Sequence, residues 1–168
     1  MISNDNLAET YRVEAVNFSE LTEGNYGRCV EIITKGNAVD PASAGDELKL
    51  ARMLVVARIG VEIVGVGAVK RIRRDYASKL ARLSGFDFDS DTPELGYVAV
   101  DPDHRGKRLS HRIVGTLLSG NDGPLFATTS NDRMKTTLEN AGFAHKGNMW
   151  KSERNGKEIS LWMRQPGE

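Results

Sequence analysis

Apolar and polar positions first alternate over Tyr11–Val16, the period of a half-buried strand, and then recur at helical spacing over residues 21–33. Lys35-Gly36-Asn37 supplies the stop signal for that helix. Asp40-Pro41-Ala42-Ser43 reads as a break, followed by a short helix over 46–52 with Ser43 or Asp46 as its cap. Two β-rich runs come next, MLVVARI and VEIVGVGAVKRI, and Gly60 between them predicts a hairpin. Residues 73–85 put Tyr76, Leu80 and Leu83 on one helical face, with Arg74, Lys79 and Arg82 around the rest. An acidic loop, FDFDSDTP, leads into the strand ELGYVAV.

Beyond that strand the pattern predicts a helix opening near Arg105, held by Leu109, Ile113, Val114, Leu117 and Leu118. The strand LFATTS, the helix NDRMKTTLENAG, and two strands, FAHKGNMWKS and KEISLWMR, around the turn Arg154-Asn155-Gly156 complete the chain. Hairpins therefore flank a strand-helix-strand-helix centre, which indicates one α/β sheet with helices packed on it. Trp150 and Trp162 fall on the last two strands, as core or wall residues.

A chain of 168 residues, 39% hydrophobic, suits one domain spanning 1–168 and one core. Lys plus Arg and Asp plus Glu each number 23, so no net field draws the molecule to nucleic acid or anionic lipid. Cys29 is the single cysteine and has no partner for a disulfide or a zinc site. The polar start, MISNDNLAET, lacks the apolar stretch of a signal peptide or membrane span, so a cytoplasmic protein without a membrane partner is expected. His104, His111 and His145 lack the spacing of a metal set and read as structural or surface groups. No metal is expected.

The unit from Glu94 to Gly120 changes the picture from fold to chemistry. A strand-to-helix turn leaves unpaired N–H groups at a helix start, and with the helix dipole these attract anions. Gly106 allows close backbone approach, and Arg105, Lys107 and Arg108 add charge suited to a group with more than one phosphate. The order of residues is not that of an ATPase loop. Gly65 and Gly67 do not form a dinucleotide fingerprint either, because its third glycine position is Lys70 and no helix opens there; a bulge or close backbone approach is the reading.

Val98-Ala99-Val100-Asp101-Pro102 followed by Arg105-Gly106-Lys107-Arg108-Leu109-Ser110 resembles the central motif of the GCN5-related N-acetyltransferases (GNATs). Arg108 stands where that family usually has its second glycine, and Ser110 where it has Gly or Ala. Asn131, a helix, and then Ala141-Gly142-Phe143 resemble a second family motif. The resemblance implies a single mixed, mostly antiparallel central sheet of about six to seven strands with helices on both faces, carrying a helical insert at about 73–92. It implies acetyl-CoA as co-substrate, bound by Val98, Ala99, Val100, Arg105, Gly106, Lys107, Arg108, Leu109, Ser110 and Asn131. Capping its helix is the simpler role for Asn131.

The implied reaction is direct attack of an amine on the thioester in a ternary complex, without a covalent enzyme intermediate and without a role for Cys29. Backbone N–H groups near Val98 would stabilise the oxyanion, and Glu94 would be the base. A solvated carboxylate after Pro93 is the plain alternative for Glu94. Tyr97 reads as a core or wall residue. The tyrosine that protonates the leaving thiolate in the family falls at Thr136-Thr137-Leu138, with Ser130, Thr137 or water as substitutes. The acceptor expected is a small-molecule or peptide amine, and the protein a monomer or homodimer. Lys70, Arg71, Arg73 and Arg74 beside the insert offer an anionic acceptor such as RNA, DNA or a phosphorylated metabolite a basic surface; a solvated helix is the simpler reading. Two other functions fit the same features: a non-catalytic acyl-CoA-binding regulatory module, and a nucleic-acid or tRNA-modifying enzyme of the same fold.

Overall fold

The computed structural model describes residues 10–35 and 40–165. The polar start over 1–9 and the stop signal at Gly36-Asn37 lie outside them. Seven strands and five α-helices follow one another in the order β1 (Tyr11–Val16), α1 (Glu23–Thr34), α2 (Pro41–Lys49), β2 (Met53–Ile59), β3 (Glu62–Val69), α3 (Arg74–Ser84), β4 (Leu95–Val100), α4 (Leu109–Ser119), β5 (Leu125–Thr129), α5 (Asp132–Asn140), β6 (Ala144–Lys151) and β7 (Glu158–Arg164).

The α/β class and the antiparallel ladders agree with expectation, but the single sheet does not. The strands form two sheets, ordered β1-β2-β3-β4 and β5-β7-β6. Only an isolated parallel bridge, Glu94 to Phe126, joins β4 to β5, reinforced by the Phe126 N–H donating to the Pro93 carbonyl at 3.1 Å. Past that bridge the two strands diverge, and β4 is left with an edge that no strand among the described residues covers.

Helices lie on both faces. On one, Ile113, Val114 and Leu117 of α4 and Leu138 of α5 share a core with Val55 and Val64 of the first sheet and Leu125, Ala127 and Trp162 of the second. One hydrophobic core thus spans two sheets whose ladders barely touch. On the other face, Cys29, Ile32 and Ile33 of α1 and Leu48 of α2 cover Leu54, Val56 and Val66, while Ala77 and Leu80 of α3 cover Phe126, Leu161 and Met163. Gly67 permits the close seating of α4: a Cβ there would lie 2.4 Å from Ile113 Cγ2. The close approach expected at this Gly-x-Gly is what the structure contains.

Four local readings are corrected. Asp40-Pro41 starts α2 instead of breaking the chain, with the Asp40 carboxylate accepting from the Ser43 N–H and Pro41 in the first turn, where its missing N–H is harmless. Ser43 and Asp46 lie within this helix, which ends at Lys49. β3 stops at Val69 rather than reaching Ile72. Leu83 is 42% exposed, and the buried face of α3 is Ala77, Leu80 and Ser84. Finally, α4 opens at Leu109, because residues 102–104 form a separate turn of 3-10 helix and Arg105 is extended.

Candidate active site

β4 carries the central irregularity. Its register against β3 pairs Val100 with Gly65 and Ala99 with Val66, then jumps to Gly96 with Ala68, so Tyr97 and Val98 bulge opposite Gly67. Tyr97 takes a left-handed conformation, φ 55°, which a non-glycine residue rarely adopts. The extra residue reverses the alternation of the strand. Leu95, Val98 and Val100 all pack with the α4 core, and Tyr97 and Ala99 pack against the α1 side. Val98 and its neighbours are thereby placed on the uncovered edge of β4 beside the gap.

At the apex of that gap, Glu94 is not a solvated carboxylate. Its Oε1 lies 3.0 Å from Lys70 Nζ, and the two side chains are only 9% and 11% exposed. The pairing follows from the ladder: Val69 lies opposite Leu95, and the Lys70 N–H donates to the Glu94 carbonyl at 2.8 Å. The ammonium also sits over the Tyr97 ring, 4.0 Å from its centroid. Gly96 leaves room for the lysine stem, since a Cβ there would come within 2.7 Å of Lys70 Cε. Tyr76, from α3, lies near the same carboxylate; burial and then the Glu94 charge push its phenol well above the usual range, partly offset by a hydrogen bond from Thr128. It stays protonated at neutral pH.

The turn after β4 is built on Asp101. This buried carboxylate accepts from the Asp103 N–H at 2.9 Å and from Arg28 Nη2 at 2.6 Å. The Asp103 N–H and, after it, Arg28 hold its pKa below the ordinary carboxylate value against the opposing effect of burial. Arg28 Nε donates to the Ile63 carbonyl, so one guanidinium ties α1 to the ends of β3 and β4. His104, in the same turn, has Nδ1 2.9 Å from the Tyr11 hydroxyl.

Residues 105–108 then run exposed into α4. Gly106 has φ 81° and open space around it, and Arg108 is left-handed at φ 59°, in the conformation the second glycine of the motif would supply. No side chain caps α4 at Arg108, so its first-turn N–H groups are not capped from that position. Leu109 is buried in the core, and Ser110 is partly exposed at the helix start. The structure thus brings Arg105, Gly106, Lys107, Arg108 and Ser110 together around one helix N-terminus.

Asn131 caps α5, its side chain accepting from the Met134 N–H at 3.0 Å. Leu138 is fully buried, and the Thr137 hydroxyl donates to the Arg133 carbonyl at 3.1 Å. Neither provides an exposed acid. Cys29 is buried and its thiol is pushed up to about 11, chiefly by desolvation. Trp162 is buried with its Nε1 donating to Ser160 Oγ, His145 lies against its ring, and Trp150 packs beside the α3 core. Among the described residues no three His, Cys, Asp or Glu side chains gather as a metal set, and no helix is long and apolar enough to cross a membrane.

In the basic group near the insert only Lys70 is buried, and the more exposed arginines each have a partner. Lys70 is buried with Glu94, Arg71 pairs with Glu47 at 2.8 Å, Arg74 pairs with Asp91, and Arg73 lies over the Tyr76 ring. Sequence reasoning missed two ion pairs, the buried Lys70–Glu94 and the part-buried Arg28–Asp101. The first depends on the register of β4 against β3 and the second joins residues far apart in the chain, so neither leaves a local signal.

No family model matches this sequence, and no curated protein matches it. Solved structures do. The NatC complex bound to Gag peptide and CoA superposes with a TM-score of 0.70 at 12% identity, over 94% of this chain and 99% of that one. The ribosomal-protein-S18-alanine N-acetyltransferase from Escherichia coli gives 0.66 at 10% identity, over 95% and 96%. A GNAT family acetyltransferase from Elizabethkingia anophelis with acetyl-CoA bound gives 0.62 at 12% identity, over 92% and 97%. The chain has the GNAT fold.

Proposed function

We propose that the protein is an acyltransferase that moves an acetyl group from acetyl-CoA to the amine of a small molecule or peptide, both substrates being bound together. The observation that carries this reading is the parting of β4 from β5 at Glu94, with a bulge on the open strand and a basic helix N-terminus at its far end. The residues present fit CoA. Gly106 and Arg108 turn the backbone around the start of α4, and Arg105, Lys107 and Arg108 are exposed there for a pyrophosphate. The free edge of β4 offers amide groups to an extended pantetheine arm, with those near Val98 as donors to the developing oxyanion.

Glu94 takes the proton that an acceptor ammonium must lose before it attacks. Its carboxylate is already shared with Lys70, so the incoming amine competes with a lysine for the same oxygen. No tyrosine is available from α5 for the departing sulfur; a thiol leaves with little assistance. The zero net charge of the chain, together with carboxylate partners for Arg71 and Arg74, gives less support to an RNA or DNA acceptor.

A second reading, a non-catalytic acyl-CoA-binding module, is favoured by buried Leu138 and by the occupied Glu94. Release of CoA thiol in the presence of polyamines, amino acids, peptides and tRNA separates the two. The transferase reading expects turnover with at least one amine. Binding of acetyl-CoA without turnover on any acceptor selects the module, and absence of binding in calorimetry rejects both.

A further inference from the structure

Lys70 does more than neutralise Glu94. Its Nζ is 3.0 Å from the carboxylate proposed as the base, 4.0 Å from the centroid of Tyr97, and aligned along Gly96, at the start of the bulge on the open edge of β4. A Cβ at residue 96 would lie 3.2 Å from Nζ, so the glycine is what gives the amine its berth. An acceptor amine in a direct-attack transferase has the same requirements: contact with the base and a position beside the backbone donors. We infer that Lys70 is an internal acyl acceptor, modified on Nζ by the acyl-CoA that the protein itself binds. The inference rests on the transferase reading.

The step balances without any further reactant. Lys70 gives one ammonium proton to Glu94 Oε1, and the lone pair so freed attacks the thioester carbonyl carbon. The C–N bond forms and the C–S bond breaks, sulfur leaving with the electron pair. The second proton on nitrogen passes to that sulfur, so that CoA departs as the free thiol and Nζ remains as a neutral amide. The acylated side chain no longer carries the charge that holds Glu94. Once Glu94 passes that proton to solvent, its carboxylate no longer faces a competing ammonium and is open to an external amine, so the first turnover conditions those that follow.

Acetyl-CoA carrying a deuterated acetyl group distinguishes this modification from any acquired earlier. Incubated with the intact protein and followed by peptide mass mapping, it is expected to label Lys70 faster than the exposed Lys49, Lys79 and Lys157, even though solution acylation favours exposed amines. Glu94→Gln is expected to slow labelling at Lys70 by about 100-fold and to leave the three exposed lysines at their basal rate. If acetyl-CoA raises the Tm but Lys70 gains label no faster than the exposed lysines, the inference is overturned and the transferase reading stands. If acetyl-CoA neither raises the Tm nor labels Lys70, both are lost. The wild-type comparison decides the matter even if Glu94→Gln does not fold.

Discussion

Arg108 is held in a left-handed conformation while offering its charge at the start of α4, and these two properties respond oppositely to one substitution. Arg108→Gly relieves about 1 kcal/mol of backbone strain and deletes one cation from the proposed phosphate site. We expect a higher midpoint in urea together with weaker acetyl-CoA binding in calorimetry; a loss of both would mean that the side chain packs structurally. Glu94 and Lys70 form the other informative unit. Removing one partner, as in Lys70→Met, leaves a buried charge unpaired and is expected to cost about 3–5 kcal/mol. The double variant Lys70→Met with Glu94→Leu should recover most of that loss, as read from denaturant unfolding. Glu94 was identifiable from its place before the strand, whereas its partner was not. Which residue faces Glu94 depends on the β3–β4 register, and a bulge that shifts register leaves little trace in a run such as LGYVAV.

At the scale of elements, most helices and strands follow from period alone, and the misreadings fall at their ends. Asp40-Pro41 has the composition of an interruption but is a cap with proline in the first turn, so α2 starts earlier than its apolar period indicates. The basic residues before Leu109 are compatible with helix back to Arg105; what excludes them is the left-handed Arg108, a tertiary choice that propensity does not encode. The junction of α1 with β4 depends on Asp101, whose partner Arg28 lies on another element. Since Asp101 is more acidic folded than unfolded, its ionised form contributes stability above the unfolded value of about 3.9, and that contribution is lost as pH falls through the lower, folded value. The urea midpoint of the wild type is expected to drop below pH 4. Asp101→Asn should lower the unfolding free energy by about 2 kcal/mol at pH 7 and make the urea midpoint less sensitive to acid.

For the molecule as a whole, the number of strands and their antiparallel pairing were legible, and the division into two sheets was not. Alternation tells which face of a strand is buried but not whether its edge is paired, and the core around α4 buries both sheets in the same way. The site inherits this limit: the residues around Gly106 could be named from local motifs, while the gap itself is a relation between β4 and β5.

The uncovered edge of β4 gives a substrate a part in the architecture. If an extended acyl-CoA arm pairs with that edge, it serves as a surrogate strand, and the sheet becomes continuous only during the lifetime of the complex. Amide hydrogen exchange should register this as new protection confined to β4 and the start of α4, with the β1–β2 ladder unchanged, when acetyl-CoA is added. Protection spread evenly over all seven strands would instead indicate general tightening. On the proposed reading, such a protein would be most completely hydrogen-bonded in a state that its own chemistry ends, each product release reopening the seam.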